Sequence, residues 1–232
     1  MDKSNDENTL AHPNFNRKIR SFVRRESRMS KRQQHAYETY MPTYGITVDG
    51  PPIDVDALFG RPGITVLEVG FGMGDSLIEM ARTHPDVNYI GIEVHRPGVG
   101  SVLASINEHN ISNIRLFRAD AVEILQNKLL GQCLDKIQLF FPDPWHKKRH
   151  HKRRLIQAPF VQLLASRLKP QGVLHIATDW QDYAEHIKTV ITQSTAFRTA
   201  DDKIVPARPM TKFENRGLRL GHNVWDLLFQ RT

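Results

Sequence analysis

Cysteine is almost absent from this chain: Cys133 is the only one among 232 residues. An intrachain disulfide and a thiolate zinc cluster are therefore excluded, which fits a reducing cytoplasm. Cys133 sits in a Gly-Gln-Cys-Leu turn entering a strand, where a packed filler is expected rather than a nucleophile. No apolar run reaches 18 residues, and the first residues are polar and mixed in charge. Neither a membrane span nor a secretory signal is expected. His146, His150 and His151 have no Cys, Asp or Glu cluster at ligand spacing, so no metal is expected. Internal repeats and low-complexity segments are missing as well.

Positive charge is plentiful. Lys and Arg total 32 against 25 Asp and Glu, a net charge of +7. This favours a polyanionic partner, because each cation placed on a phosphate releases condensed counterions. The length suits one well-buried α/β domain with a modest appendage. Residues 1–14 are polar and read as disordered. A basic tract then runs from Arg17 to Arg32, with Phe22 and Val23 as apolar anchors. It reads as an RNA-contacting arm, so the chain divides into an arm over 1–40 and a folded domain over 41–232.

After Pro51-Pro52 the pattern alternates. Strands are expected at Thr65–Val69, Asn88–Glu93, Ile114–Arg118, Leu134–Phe141, Gly172–Thr178 and Val224–Gln230. Helices are expected at Asp75–Thr83, Pro97–His109, Ala121–Lys128, Pro159–Leu168 and Trp180–Thr195. Leu134–Phe141 is apolar enough for a central parallel strand covered on both faces. The alternation implies a doubly wound, mostly parallel sheet that binds ligands at the carboxyl ends of its strands.

Acids stand at those ends. Glu68-Val69-Gly70-Phe71-Gly72-Met73-Gly74-Asp75 puts a glycine-rich turn after the first strand. A dinucleotide fingerprint needs glycine where Asp75 stands. The spacing suits S-adenosylmethionine better, since that ligand has no pyrophosphate and its amino-acid end is zwitterionic. Glu68 can hold the ammonium or help order the loop. Glu93 ends the second strand, where a carboxylate can accept both ribose hydroxyls. Asp120 follows the third strand and can accept from the adenine amine, although aspartate is also an ordinary helix cap.

The fourth strand ends on Phe140-Phe141-Pro142-Asp143-Pro144-Trp145. Flanking prolines restrict Asp143 to extended backbone, and its carboxylate can accept from N1–H and the exocyclic amine of guanine together. Trp145 can stack on a base or pack. His146-Lys147-Lys148-Arg149-His150-His151-Lys152-Arg153-Arg154 follows with no acid to neutralise it, as a phosphate-holding surface requires. Near the end, Thr211-Lys212-Phe213-Glu214 lies in a basic loop, with Phe213 placed to close over a base.

With these motifs the chain resembles the bacterial tRNA (guanine-N7-)-methyltransferases from about Ile19 to Arg231. The matching stretches are Arg20–Arg24, Glu68–Gly74, Gly91–His95, Phe140–Lys147 and Thr211–Glu214. The resemblance implies a Rossmann-like class I methyltransferase with an antiparallel C-terminal strand, acting on a guanine in the variable loop of tRNA. It implies that Glu68, Glu93, Asp120 and Asp143 line the S-adenosylmethionine pocket along with Gly70, Gly72 and Gly74. Asp143 would be the active-site acid, and Lys147, Asp179, Thr211, Lys212, Phe213 and Glu214 would contact substrate. Arg149, His150, His151, Lys152, Arg153 and Arg154 would face RNA. Monomer and homodimer both stay open.

Three other readings compete. Methyltransferases acting on an exocyclic amine often carry a second proline where Trp145 stands. A non-enzymatic RNA-binding module leaves Glu68, Glu93 and Asp120 without a task. An oxidoreductase is opposed by Asp75 and by the basic run.

Overall fold

The computed structural model describes residues 21–22, 28–201, 208–210, 214 and 223–232. Seven strands form one sheet: β1 Thr65–Val69, β2 Asn88–Ile92, β3 Ile114–Phe117, β4 Leu134–Phe140, β5 Leu168–Thr178, β6 Phe197–Thr199 and β7 Trp225–Arg231. Their order is β3-β2-β1-β4-β5-β7-β6. Strands β1 to β5 pair in parallel, while β7 runs antiparallel to both β5 and β6. Every residue of β1 and β2 is buried, as both-face coverage demands.

Alternation along the strands separates two apolar layers. Leu67, Val69, Ile90, Ile92, Ile137 and Leu139 face helices α5 (Ala121–Asn127), α6 (Ala158–Arg167) and α7 (Gln181–Thr192). Val66, Tyr89 and Phe140 share the opposite layer with α1 (Lys31–Tyr44), α3 (Asp75–Thr83) and α4 (Arg96–Glu108). A short α2, Val55–Phe59, is capped by Asp54, whose side chain accepts from the Asp56 and Ala57 amides. Among the described residues no helix is long and apolar enough to cross a membrane.

Helix α1 departs from the expected arm. Ser30 and Gln33 form a reciprocal capping box that starts it. Ala36 is buried against the domain, and Arg32 pairs with Glu108 of α4. Gly100 permits the close approach, since a Cβ there would lie 2.7 Å from the Gln33 carbonyl. The division expected at residue 40 therefore falls inside a helix that belongs to the domain. Of the tract around Arg20–Arg28, only Ser21, Phe22 and Arg28 are among the described residues.

Two further differences are local. β5 begins at Leu168, four residues before the expected Gly172, and continues through Pro170 and Gln171. Gln171 takes φ 64, so the proline-containing stretch carries an irregularity without ending the strand. Strand β6 was not expected at all. It has three residues, two of them exposed, and only its pairing to β7 defines it.

Candidate active site

Strand order reverses between β1 and β4, and a crevice opens above their carboxyl ends. The turn leaving β1 holds Gly70, Gly72 and Gly74 at φ 73, 58 and 85, values that side-chain-bearing residues adopt only under strain. It is also wedged against α4. A Cβ on Gly74 would meet Val102 at 2.0 Å, and one on Gly98 would meet the Gly72 carbonyl at 2.0 Å.

A cavity of about 540 Å³ is lined by Gly70, Glu93, Asp120, Phe140, Phe141 and Asp143, among others. A second, of about 440 Å³, adjoins it along Gly70, Phe140 and Phe141 and reaches Glu68, Ser76 and Ser101. Ser21 and Phe22 also line the first cavity, so part of the expected arm lies against it.

Glu93 is buried and engaged by the backbone. Its Oε2 accepts from the Gly72 amide at 2.9 Å, and Oε1 accepts from Val94 and His95 at 2.6 and 2.9 Å. It ties the glycine turn to the end of β2. A ligand hydroxyl would have to share oxygens already holding that loop. Asp120 caps α5 through Oδ1, which accepts from the Val122 amide at 3.0 Å. It lines the cavity from that position, so capping α5 does not take it away from the cavity.

Glu68 is only 2% exposed. Gln138 of β4, its register partner, donates from Nε2 to Oε2 at 2.8 Å. Burial nevertheless pushes the Glu68 carboxyl up to about 7, against the opposing effects of Gln138 and Lys136. Gln138 Oε1 and Ser76 Oγ are buried without a hydrogen-bond partner. Unsatisfied polar atoms beside a buried acid and a cavity fit a polar or cationic ligand group. The joined cavities, the acids at the ends of β1, β2 and β3 and the unstrained glycine turn fit S-adenosylmethionine.

Asp143 is exposed at the rim, and its Oδ1 accepts from the Trp145 amide at 2.9 Å. The flanking Phe141 and Trp145 take φ 54 and 47, an unfavourable region for aromatic residues. Such strain concentrates where a structure holds a group for function. Trp145 packs here: its indole N–H donates to the Ser21 carbonyl at 3.1 Å, and the Arg153 guanidinium lies 4.0 Å over the ring.

The basic run splits in two. Residues Lys148–Arg153 form a 3₁₀ helix, with Lys147, Lys148, Arg149 and Lys152 exposed. His150 and His151 are half-buried, and neighbouring cations help desolvation hold His150 below its usual range. Arg154 departs from the expected RNA-facing role. It is 3% exposed, donates from Nε to the Pro144 carbonyl at 2.9 Å, pairs with Asp182 and lies over Tyr183. Its guanidinium braces the Asp143 loop onto α7.

Asp179 follows β5 but lines a separate cavity of about 480 Å³ with Trp180, Asp182 and Trp225. His146 joins that region to the Asp143 loop, its ring centroid 4.2 Å from that of Trp180. Glu214 is buried and paired with Arg208. Thr211, Lys212 and Phe213 lie outside the described residues. No group of three or more His, Cys, Asp or Glu placed to hold a metal occurs among the described residues. Gln138 and Arg208 were missed by sequence reasoning. A lone amide inside the apolar run of β4 was a usable signal for the first; Arg208, between prolines in a loop, gave none.

The family model described as "Putative methyltransferase" matches residues 62–227. The tRNA (guanine-N(7)-)-methyltransferase of Serratia proteamaculans (strain 568) is 54% identical over 220 residues, covering 93% of this chain and 92% of its own. The chain belongs to the tRNA (guanine-N(7)-)-methyltransferase family. Another member, from Sodalis glossinidius (strain morsitans), is 52% identical and is covered over 99% of its length, against 97% of this chain. Beyond the family, the fold resembles that of the 16S rRNA (adenine(1408)-N(1))-methyltransferase from Catenulisporales acidiphilia with cosubstrate SAM. The TM-score is 0.55 at 16% identity, covering 78% of this chain and 92% of that one.

Proposed function

We propose that the protein transfers a methyl group from S-adenosylmethionine to N7 of a guanine in the variable loop of tRNA. Family membership along nearly the whole chain carries this reading, and the joined cavities between the glycine turn and Asp143 supply a place for the chemistry. The reaction belongs to the cytoplasm, where both substrates occur.

S-adenosylmethionine supplies an electrophilic methyl on a sulfonium. Guanine N7 already has a lone pair, so no residue must remove a proton from it. The protein's work is therefore alignment of the nucleophile with the methyl, together with electrostatics. Glu93 holds the glycine turn in shape, and Glu68 presents negative charge towards the second cavity. Asp143 accepts from the Watson–Crick edge of guanine, and its charge offsets the positive charge that the ring acquires. The braced turn from Phe141 to Trp145 keeps that carboxylate at the cavity rim. Lys147, Lys148, Arg149 and Lys152 hold backbone phosphates and set the position of the RNA without reading its sequence.

Labelled S-adenosylmethionine with bulk tRNA, followed by nucleoside mapping, tests this. Label is expected in 7-methylguanosine. Label in an exocyclic amine would overturn the N7 assignment, and absence of transfer would overturn the enzymatic one.

A further inference from the structure

Arg208 has no task in the reaction just described, yet its side chain is only 5% exposed. Four hydrogen bonds tie it to two carboxylates. Nη1 and Nη2 donate to Glu214 at 2.5 and 2.8 Å, and Nε and Nη2 donate to Asp226 at 2.7 and 3.1 Å. The guanidinium also lies 5.5 and 5.3 Å from the ring centroids of Phe140 and Phe141, which wall both cavities. Asp226 is fixed by its place in β7 and by His175 of β5, whose Nε2 is 2.8 Å from Oδ1. One planar fork thus connects a rigid strand, the cavity wall and Glu214.

We propose that Arg208 is a positioning residue for the RNA substrate, holding Glu214 beside the Phe140–Phe141 wall through its bridge to Asp226. The proposal rests on the tRNA-methylating reading and on the assignment of Glu214 to substrate contact. Geometry is the reason for an arginine here. A planar fork can engage two carboxylates at fixed angles, which a lysine cannot. Buried ion pairs often add little net stability compared with apolar packing of the same volume. Without Arg208, Glu214 and Asp226 become neighbouring like charges. Asp226 is held in β7, so Glu214 is the one that moves.

Variants Arg208→Gln, Arg208→Lys, and Arg208→Gln combined with Asp226→Asn separate positioning from stability. Melting temperature, S-adenosylmethionine affinity by calorimetry, and kcat and KM for tRNA are measured on each. Arg208→Gln is expected to raise KM for tRNA about ten-fold, with S-adenosylmethionine affinity within about two-fold of wild type. The double variant relieves the repulsion, so its melting temperature should recover while KM stays high. Arg208→Lys keeps the charge without the fork and should fall between wild type and Arg208→Gln in KM. Recovery of KM together with melting temperature in the double variant would reduce Arg208 to a structural role and overturn the proposal. So would parallel losses in tRNA and S-adenosylmethionine binding. If Arg208→Gln does not fold, Arg208→Lys decides: a raised KM supports positioning, and an unchanged one overturns it. Wild-type protein that forms no 7-methylguanosine would instead sink the functional reading itself.

Discussion

Over the ends of β1 to β3 the acids are already engaged by the protein: Gln138 holds Glu68, three backbone amides hold Glu93, and Asp120 caps α5. Over the end of β4, Asp143 is exposed and accepts one backbone amide, and exposed cations follow it. Under the proposed function the first side is a pocket organised before its small ligand arrives, so little ordering would be left to do on binding. The second is an open rim on a strained turn, as a bulky polynucleotide requires. On the proposed reading the difference assigns the cost of organisation: the donor side would meet it in folding, and the acceptor side on contact with RNA.

Asp143→Ala breaks the comparison most severely. It is expected to lower kcat by about 10²–10³ while S-adenosylmethionine affinity changes little, the size of loss typical for one preorganised electrostatic contact. Single-turnover methylation at saturating tRNA checks this. Near-normal turnover would mean that the exposed acid does no chemistry and that guanine is oriented elsewhere.

The next test concerns the cost on the donor side. A glutamate in the unfolded chain titrates near 4.5, whereas Glu68 in the fold titrates near 7. Between these values the folded protein holds a proton that the unfolded chain has released. Stability therefore falls as pH rises through that window, by about 3 kcal/mol in all. Glu68→Gln removes this dependence. In urea unfolding without ligand, the variant should gain about 3 kcal/mol relative to wild type at pH 8 compared with pH 4. A constant difference at both pH values would show that Glu68 is not desolvated as its burial implies. The same variant should bind S-adenosylmethionine more weakly at pH 8. A residue that costs stability and aids binding is what a preformed site for a cationic group calls for.

The strand and helix alternation was legible because its apolar runs and glycine turns are strong local signals. The placement of acids at the ends of β1, β2 and β3 was legible too, since the strand pattern fixes where each strand stops. Partners were not. That Glu93 serves three amides, or that Gln138 lies beside Glu68, depends on register across strands far apart in sequence. Helix α1 was hidden for a different reason: its polar, basic composition resembles an arm, and its packing shows only in the fold, through Ala36, the Gly100 contact, the Arg32–Glu108 pair and the tyrosines laid against the core. The basic run read as uniform because charge in sequence carries no information about burial.

Arg154 and Arg149 turn that last point into the smaller pair of tests. Arg154→Met leaves the Pro144 carbonyl without its donor and removes the guanidinium from Tyr183, while Asp182, mostly exposed, is rehydrated. A loss of about 2 kcal/mol in denaturant unfolding is expected, less than for an ion pair with both partners buried. Activity should fall with it, because the Asp143 loop loses its brace. Arg149→Ala removes an exposed side chain and should change stability by less than about 0.5 kcal/mol. Its effect belongs in RNA binding, where the slope of log affinity against log salt should become shallower by about one unit, the signature of one lost phosphate contact. If Arg154→Met alone flattened the salt slope and Arg149→Ala left it unchanged, the division of the basic run into a buried brace and an exposed grip would be reversed. The phosphate path would then have to run beneath the Asp143 loop rather than across the 3₁₀ helix.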